Sequence, residues 1–147
     1  FIIVAPQCPE DKYWGCFQES LNDFLDSLIK VLPVDSSRIY LTGLSMGGTG
    51  TWLWALSNPE RFAAIAPVCG CGIPWYAGRL CDMPVWAFHG DKDDAVDVSG
   101  SIQMTEAVNR CGGDAKLTLY GGVGHDCWVQ AYGTPELYEW LLSHKLG

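Results

Sequence analysis

The sequence has 147 residues, of which 48% are hydrophobic, and its formal net charge is -8. A chain of this length and apolar content can form one domain with a substantial hydrophobic core. Its 17 acidic and 9 basic residues are spread without a basic cluster, so the charge excludes nucleic acids and anionic membranes as expected partners. No run approaches the roughly 18 apolar residues of a membrane span. The composition favours a small neutral ligand, and it leaves the oligomeric state undetermined.

Seven cysteines are scattered along the chain, at Cys8, Cys16, Cys69, Cys71, Cys81, Cys111 and Cys127. Their odd number and irregular spacing predict reduced, mostly buried thiols rather than a disulfide framework. A metal site is not expected, because the Cys-Gly-Cys pattern at Cys69 and Cys71 is not a zinc knuckle and no histidine lies near it in sequence. We expect a cytoplasmic location. Secretion stays open, because the sequence begins on Phe1 and any leader would lie upstream of it.

The chain opens on patterns typical of a strand, a loop and a helix. Phe1–Ala5 is a continuous apolar run, which predicts a strand buried on both faces of a parallel sheet. The loop over residues 7–15 follows the carboxyl end of that strand, where open α/β sheets bind ligands. Gln7 and Trp14 are therefore candidate substrate-binding residues. Apolar side chains then recur at helical spacing over residues 17–32.

A Gly-x-Ser-x-Gly motif lies between the next strand pattern and the next helix pattern. The apolar run Arg38–Thr42 precedes it, and the helical pattern Met46–Ser57 follows, so Ser45 falls on a strand-to-helix turn. We expect a turn this sharp to hold Ser45 in an unfavourable backbone conformation and to require glycine at both Gly43 and Gly47.

This setting indicates that Ser45 is a catalytic nucleophile. The turn would expose its hydroxyl group, and the backbone N–H of Met46, at the start of the helix, would face the negative charge that develops on an attacked carbonyl oxygen. The motif alone leaves a second interpretation open, in which the segment is an ordinary glycine-rich turn and the serine has no role.

The second half of the chain continues the alternation of strands and helices. Phe62–Ala66, Val85–Phe88 and Lys116–Tyr120 are predicted strands. Helical patterns cover residues 102–111 and 134–144. The fold class is therefore α/β, with a mainly parallel sheet flanked by helices in a single domain spanning the whole chain.

A nucleophilic serine needs a histidine base and a carboxylate that orients the base. His125 is the best placed of the three histidines, because it lies in a flexible glycine-rich loop after the last strand. A solvated loop histidine is the alternative interpretation. His89 ends a strand and is more typical of a hydrogen-bonding residue, whereas His144 lies on the terminal helix. Four aspartates crowd the loop after Phe88 as candidates for the acid or for a helix cap, namely Asp91, Asp93, Asp94 and Asp97.

Three motifs in order carry a family resemblance: Gly-Leu-Ser-Met-Gly-Gly from Gly43, His-Gly-Asp-Lys-Asp from His89, and Gly-Val-Gly-His-Asp-Cys-Trp ending at Trp128. The chain resembles the α/β-hydrolase superfamily, and within it the small lidless esterases grouped with dienelactone hydrolases, phospholipase/carboxylesterases and polyhydroxybutyrate-depolymerase-like esterases. The resemblance implies that Asp93 is the acid and His125 the base. Trp128 joins the candidate substrate-binding residues.

The resemblance implies a serine ester hydrolase that acts on a small neutral carboxylic ester through an acyl-enzyme intermediate, without a metal or an organic cofactor. Two alternatives stay open: a serine peptidase of the same fold, and a non-catalytic hydrolase-like module or inactive fragment. The sequence departs from the family at its start, where the first strands and the His-Gly oxyanion loop have no counterpart. We therefore expect an N-terminally incomplete domain, with the strand Phe1–Ala5 about 10 Å from Ile39–Thr42.

Overall fold

A computed structural model describes residues 1–147 and contains one four-stranded parallel sheet. Its strands are β1 (Tyr40–Leu44), β2 (Ala64–Val68), β3 (Val85–Gly90) and β4 (Ala115–Tyr120), and they pair in that order. The helices are α1 (Gln18–Val31), α2 (Met46–Ser57), α3 (Ser99–Arg110), α4 (Trp128–Tyr132) and α5 (Pro135–Ser143). The predicted α/β class with a parallel sheet is confirmed.

Both faces of the sheet are covered by apolar side chains, as a parallel sheet requires. One hydrophobic cluster includes Trp52 of α2, Met104 of α3 and Ile65 of β2. The other includes Phe88 of β3 and Leu137 of α5. All residues of β2 and β3 are buried, whereas β1 and β4 form the two edges of the sheet and are more exposed. The core is thus centred on the two middle strands.

The strand register aligns the carboxyl ends of all four strands at one edge. Leu44 lies opposite Val68, Val68 lies opposite Phe88, and Gly90 lies opposite Tyr120. Loops that follow these residues therefore meet above the same edge, which is where open α/β sheets place their ligand sites.

The strand predicted at Phe1–Ala5 is not present. These residues adopt no regular secondary structure, and Ile3 is 85% exposed. Phe1 contacts the side of the sheet near β1, with its ring 6.0 Å from that of Tyr40. An apolar run shows only that burial would be favourable, whereas a strand also needs a hydrogen-bonded neighbour, and these five residues make no ladder with β1.

Several smaller expectations also need correction. The strand predicted over Phe62–Ala66 is displaced by two residues, because β2 covers Ala64–Val68 and includes Pro67, which lies opposite Gly43. The cysteines are free, but only Cys69 and Cys127 are buried. Most of the other thiols lie in loops or next to helix ends, where position rather than residue type decides exposure. A 3₁₀ helix over Pro74–Leu80 and the short α4 were not predicted. None of the helices combines the length and the apolar character needed to cross a bilayer.

Candidate active site

Three predicted site residues lie beyond the carboxyl ends of three different strands. Ser45 follows β1 directly, Asp93 lies in the loop after β3, and His125 lies in the loop after β4. Adjacent strands are about 4.8 Å apart, so β4 lies roughly 14 Å from β1, and its loop must cross two strands to reach Ser45.

Ser45 occupies a backbone conformation that non-glycine residues rarely adopt, with φ 54° and ψ -118°. Its N–H donates to the carbonyl of Val68 at 3.0 Å and lies 3.3 Å from the Sγ of Cys69. A Cβ on Gly43 would lie 2.4 Å from the carbonyl oxygen of Gly47, so glycine is required at position 43. A Cβ on Gly47 would meet nothing within 4 Å, and the expectation that both positions need glycine is wrong for Gly47.

Gly90 explains how the loop that carries His125 reaches across the sheet. A Cβ at this position would lie 2.3 Å from the carbonyl oxygens of both Val123 and Gly124. The N–H of Lys92 donates to Val123 at 2.9 Å, which holds the two loops together. The loop after β4 therefore packs directly on the end of β3 because residue 90 has no side chain. This role was not identified from the sequence, although the position of Gly90, directly after His89 at the end of a predicted strand, could have indicated it.

The three side chains form a continuous hydrogen-bonded chain. The Nε2 of His125 is 2.8 Å from the Oγ of Ser45, and its Nδ1 is 2.7 Å from the Oδ2 of Asp93. The side chain of Asp93 is fully buried, whereas that of His125 remains 23% exposed. The nearest carboxylate to the His125 ring is thus the one that the family resemblance implied.

The site perturbs the pKa of both ionisable partners. Burial raises the pKa of Asp93, but hydrogen bonds from His125 and from the N–H groups of Val96 and Ala95 outweigh burial and lower it below its ordinary value. The hydrogen bond to Asp93 raises the pKa of His125, against a smaller lowering from burial. Nearby charge at Asp94 acts in the same direction as Asp93. The pair therefore favours the ionised carboxylate and strengthens the histidine as a proton acceptor.

The other three aspartates of the loop have local structural partners or face solvent. Asp91 accepts from the N–H of Gly122 at 2.7 Å, and Asp97 accepts from the N–H of Ser99 at the start of α3, also at 2.7 Å. Asp94 is exposed. The sequence left all four open as acid or cap, and the structure brings Asp93 alone of them into contact with His125.

Each of the remaining predicted site residues has different surroundings. Met46 is the first residue of α2, and its N–H has no carbonyl four residues earlier within the helix to bond. Trp128 lies against His125, with ring centroids 5.4 Å apart in an edge-to-face arrangement. Trp14 packs on α2, where a Cβ on Gly50 would touch its side chain. Gln7 is exposed in the segment before the first helix. Of the substrate-binding candidates, Trp128 is thus the one that contacts His125.

Two further buried residues adjoin this chain of side chains. The Sγ of Cys69 belongs, with Asp93 and His125, to a group whose ligand-type atoms lie within 4.8 Å of one another. The carboxylate and the ring of that group are hydrogen-bonded to each other, so the group does not by itself indicate a metal centre. His89 is fully buried, and its Nε2 lies 3.1 Å from the Oδ2 of Asp93. The expectation of a hydrogen-bonding role for His89 fits this position.

Two surface cavities lie away from these residues. One, of about 420 Å³, is lined by residues that include Phe62, Pro84 and His144; the other, of about 480 Å³, is lined by residues that include Leu53 and Tyr76. Neither includes Ser45, Asp93 or His125. We place the candidate site by its chemistry, because a reactive constellation at the carboxyl edge of the sheet is more specific than a concave surface.

Comparison with known proteins identifies close structural and sequence relatives. A thermostable esterase of known structure superposes with a TM-score of 0.92 at 32% identity, covering 96% of this chain and 43% of its own. A carboxymethylenebutenolidase homologue from Yersinia pestis is 31% identical over 85% of this chain and 57% of its own length. A poly(3-hydroxyoctanoate) depolymerase from Pseudomonas fluorescens is 29% identical over 57% of this chain and 35% of its own.

The chain therefore spans less than two thirds of each of these proteins. The dienelactone hydrolase family matches residues 12–132, which include the whole of the parallel sheet and all three side chains of the hydrogen-bonded site. Because this match covers most of the 147 residues, the chain belongs to the dienelactone hydrolase family, a group of hydrolases with the α/β-hydrolase fold.

Proposed function

We propose that this chain carries the active site of a serine ester hydrolase, which cleaves a small neutral carboxylic ester through an acyl-enzyme intermediate. In this proposal Ser45 is the nucleophile, His125 is the general base and acid, and Asp93 orients His125. The observation that carries the proposal is the pair of contacts at 2.8 Å and 2.7 Å that joins the three side chains in that order.

The first half-reaction forms the acyl-enzyme. The Oγ of Ser45 attacks the ester carbonyl carbon while its proton passes to the Nε2 of His125. For Nε2 to accept that proton, the ring hydrogen must lie on Nδ1, and Asp93 favours this tautomer because its carboxylate can only accept. The tetrahedral intermediate then expels the alcohol, which takes the proton from Nε2.

The second half-reaction releases the acid. Water attacks the acyl carbon, gives a proton to His125, and the collapse of the second intermediate returns a proton to Ser45. These steps balance with water as the sole co-reactant. The N–H of Met46 is the proposed donor to the oxyanion, because the first N–H groups of a helix lack intrahelical acceptors and lie at the positive end of its dipole.

Charge and the residues around His125 support the proposed substrate class. A net charge of -8 disfavours the approach of anionic substrates, so a neutral ester is the better match. Trp128 provides an apolar surface beside the base, where one group of the ester could pack. We further propose that residues 1–147 act within a single hydrolase domain, since one sheet with an apolar cluster on each face unites them.

A fluorophosphonate probe tests the nucleophile directly. We expect a single adduct on Ser45, measured as intact mass and mapped to its peptide, and we expect Ser45→Ala to lose both the adduct and the hydrolysis of short p-nitrophenyl esters. The control is Ser57→Ala at the other end of α2, where the hydroxyl bonds only the carbonyl of Leu53. Labelling at another residue, or normal turnover by Ser45→Ala, would contradict the assignment.

The same samples separate the alternatives. A peptidase would also cleave a matched anilide with turnover that depends on Ser45, whereas the proposed esterase would hydrolyse the ester and leave the anilide intact. A non-catalytic module would show neither labelling nor turnover while remaining folded by circular dichroism. The solved peptidases that this chain resembles share only its fold, at 18–19% identity, and supply no observation that favours the peptidase alternative.

A further inference from the structure

A second histidine lies behind the carboxylate of the candidate site. His89 belongs to β3, and its side chain is completely buried. Its Nε2 is 3.0 Å from the carbonyl oxygen of Val96 and 3.1 Å from the Oδ2 of Asp93, while its Nδ1 is 2.7 Å from the Oγ of Ser101. No step of the proposed reaction uses this ring.

The neighbours of Nε2 determine where the ring carries hydrogen. A carbonyl oxygen and an ionised carboxylate can only accept, so Nε2 must carry a hydrogen, which it donates to Val96. On a neutral ring Nδ1 then accepts from the hydroxyl of Ser101. On a charged ring Nδ1 donates to Ser101, whose own hydrogen reaches the carbonyl of Gly70 at 3.1 Å. In both cases the positive N–H edge of the ring faces Asp93.

The contact with Val96 also fixes the backbone that holds the acid. The Oδ1 of Asp93 accepts from the N–H groups of Ala95 and Val96, both at 2.9 Å. His89 binds the carbonyl of the same residue, Val96, whose N–H binds Asp93. The ring therefore secures the tight loop after β3 from the core side, and His125 contacts the carboxylate from the open side.

We propose that His89 is a positioning residue, which holds the loop and carboxylate of Asp93 in place for His125 through its Nε2–H edge while Ser101 holds the ring. The inference rests on the serine-esterase function proposed above. His89 is separated from Ser45 by Asp93 and His125, so it acts on the reaction only through the acid.

The charges around both rings set the direction of the expected effect. Asp93 and Asp97 lie near His89. His125 is faced by the carboxylates of Asp93 and Asp94 and by the thiol of Cys69, whose raised pKa keeps it uncharged. Replacing the ring of His89 by an apolar side chain removes the donor beside Oδ2, so the carboxylate of Asp93 is held less firmly against His125. The hydrogen bond between Asp93 and His125 is the main cause of the raised pKa of His125, so its weakening moves the acid limb of kcat/KM to lower pH.

The mutational test compares His89→Met, which removes the donor, with His89→Gln, whose amide N–H groups can reach both oxygens. We expect His89→Met to lower kcat about 10- to 100-fold, the size of one hydrogen bond to a charged group, with little change in KM. His89→Gln should recover part of that loss. The control is His144→Gln, which makes the same change at a histidine whose Nε2 has no hydrogen-bond partner.

Each rate is divided by the concentration of protein whose Ser45 reacts with the fluorophosphonate. A loss of folded protein is then not mistaken for a loss of kcat. Unchanged kcat and acid limb in labelled His89→Met, or no recovery in His89→Gln, would overturn the inference while the proposed function stands. Absence of labelling in the unmodified chain would instead overturn the proposed function.

If His89→Met does not fold, imidazole nitrogen NMR of the unmodified full chain decides the question. We expect a protonated Nε2 on His89 at neutral pH. An unprotonated Nε2 would overturn the inference, because the ring would then present a lone pair to two acceptors.

Discussion

The two glycines of the serine motif should respond in opposite ways to the same added methyl group. Gly43→Ala places a Cβ 2.4 Å from the carbonyl oxygen of Gly47, and an ordinary contact needs at least 3.4 Å, so the backbone must separate by roughly 1 Å. Overpacking of this kind costs about 1–3 kcal/mol. Gly47→Ala meets nothing within 4 Å and replaces a glycine within α2, which stabilises a helix by up to about 1 kcal/mol.

Thermal unfolding of the two variants measures this difference. At about 2–4 °C per kcal/mol for a chain of this size, Gly43→Ala should lower Tm by about 2–12 °C and Gly47→Ala should leave it unchanged or raise it by up to about 4 °C. Gly43→Ala should also slow ester hydrolysis, because the displaced backbone carries Ser45. Equal losses of Tm in the two variants, or an unaltered Tm in Gly43→Ala, would refute the steric argument.

Three more predictions concern the site and the thiols. Asp93→Asn should lower kcat by about 10³–10⁴, because the amide favours the wrong tautomer of His125, whereas Asp91→Asn should have little effect; steady-state kinetics of both variants tests this. The raised pKa of His125 should place the acid limb of kcat/KM above the ordinary histidine value of 6.5, since activity requires the neutral ring and is lost as pH falls through that pKa; a limb at or below 6.5 would contradict it. Cys69 and Cys127 should resist a thiol reagent until the chain unfolds; prompt reaction of either would contradict their burial. The thiols expected to react promptly are the exposed Cys16, Cys71 and Cys111.

Local patterns predicted much of the fold. The strand-to-helix turn at Ser45 is encoded within about a dozen consecutive residues, so its position could be predicted before any tertiary contact was known. The later strands and helices were predicted to within a few residues for the same reason. The strand at Phe1–Ala5 was the clear failure, because strand formation depends on a partner that a local apolar pattern does not supply.

Identifying the residues of the candidate site required both the sequence and the tertiary structure. The order of the three motifs implied Ser45, Asp93 and His125, but composition and spacing alone could not separate Asp93 from the other aspartates of its loop. That choice depends on the direction in which each side chain points after β3. Backbone N–H groups bind the carboxylates of Asp91 and Asp97 and so hold both side chains in other directions. The tolerance of Gly47 for a side chain likewise depends on the space around α2, which no motif records.

By itself, the sequence determined the class of fold, the strand-turn-helix at Ser45 and the set of residues from which the site could be built, because each depends on neighbours along the chain. Only the tertiary structure decided the contacts between distant loops. Gly90 has to be glycine because residues 123 and 124 cross above it, and His89 contacts Asp93 because the loop after β3 folds back on its own strand. Such contacts form only when the strands align in parallel register and bring their carboxyl ends to one edge.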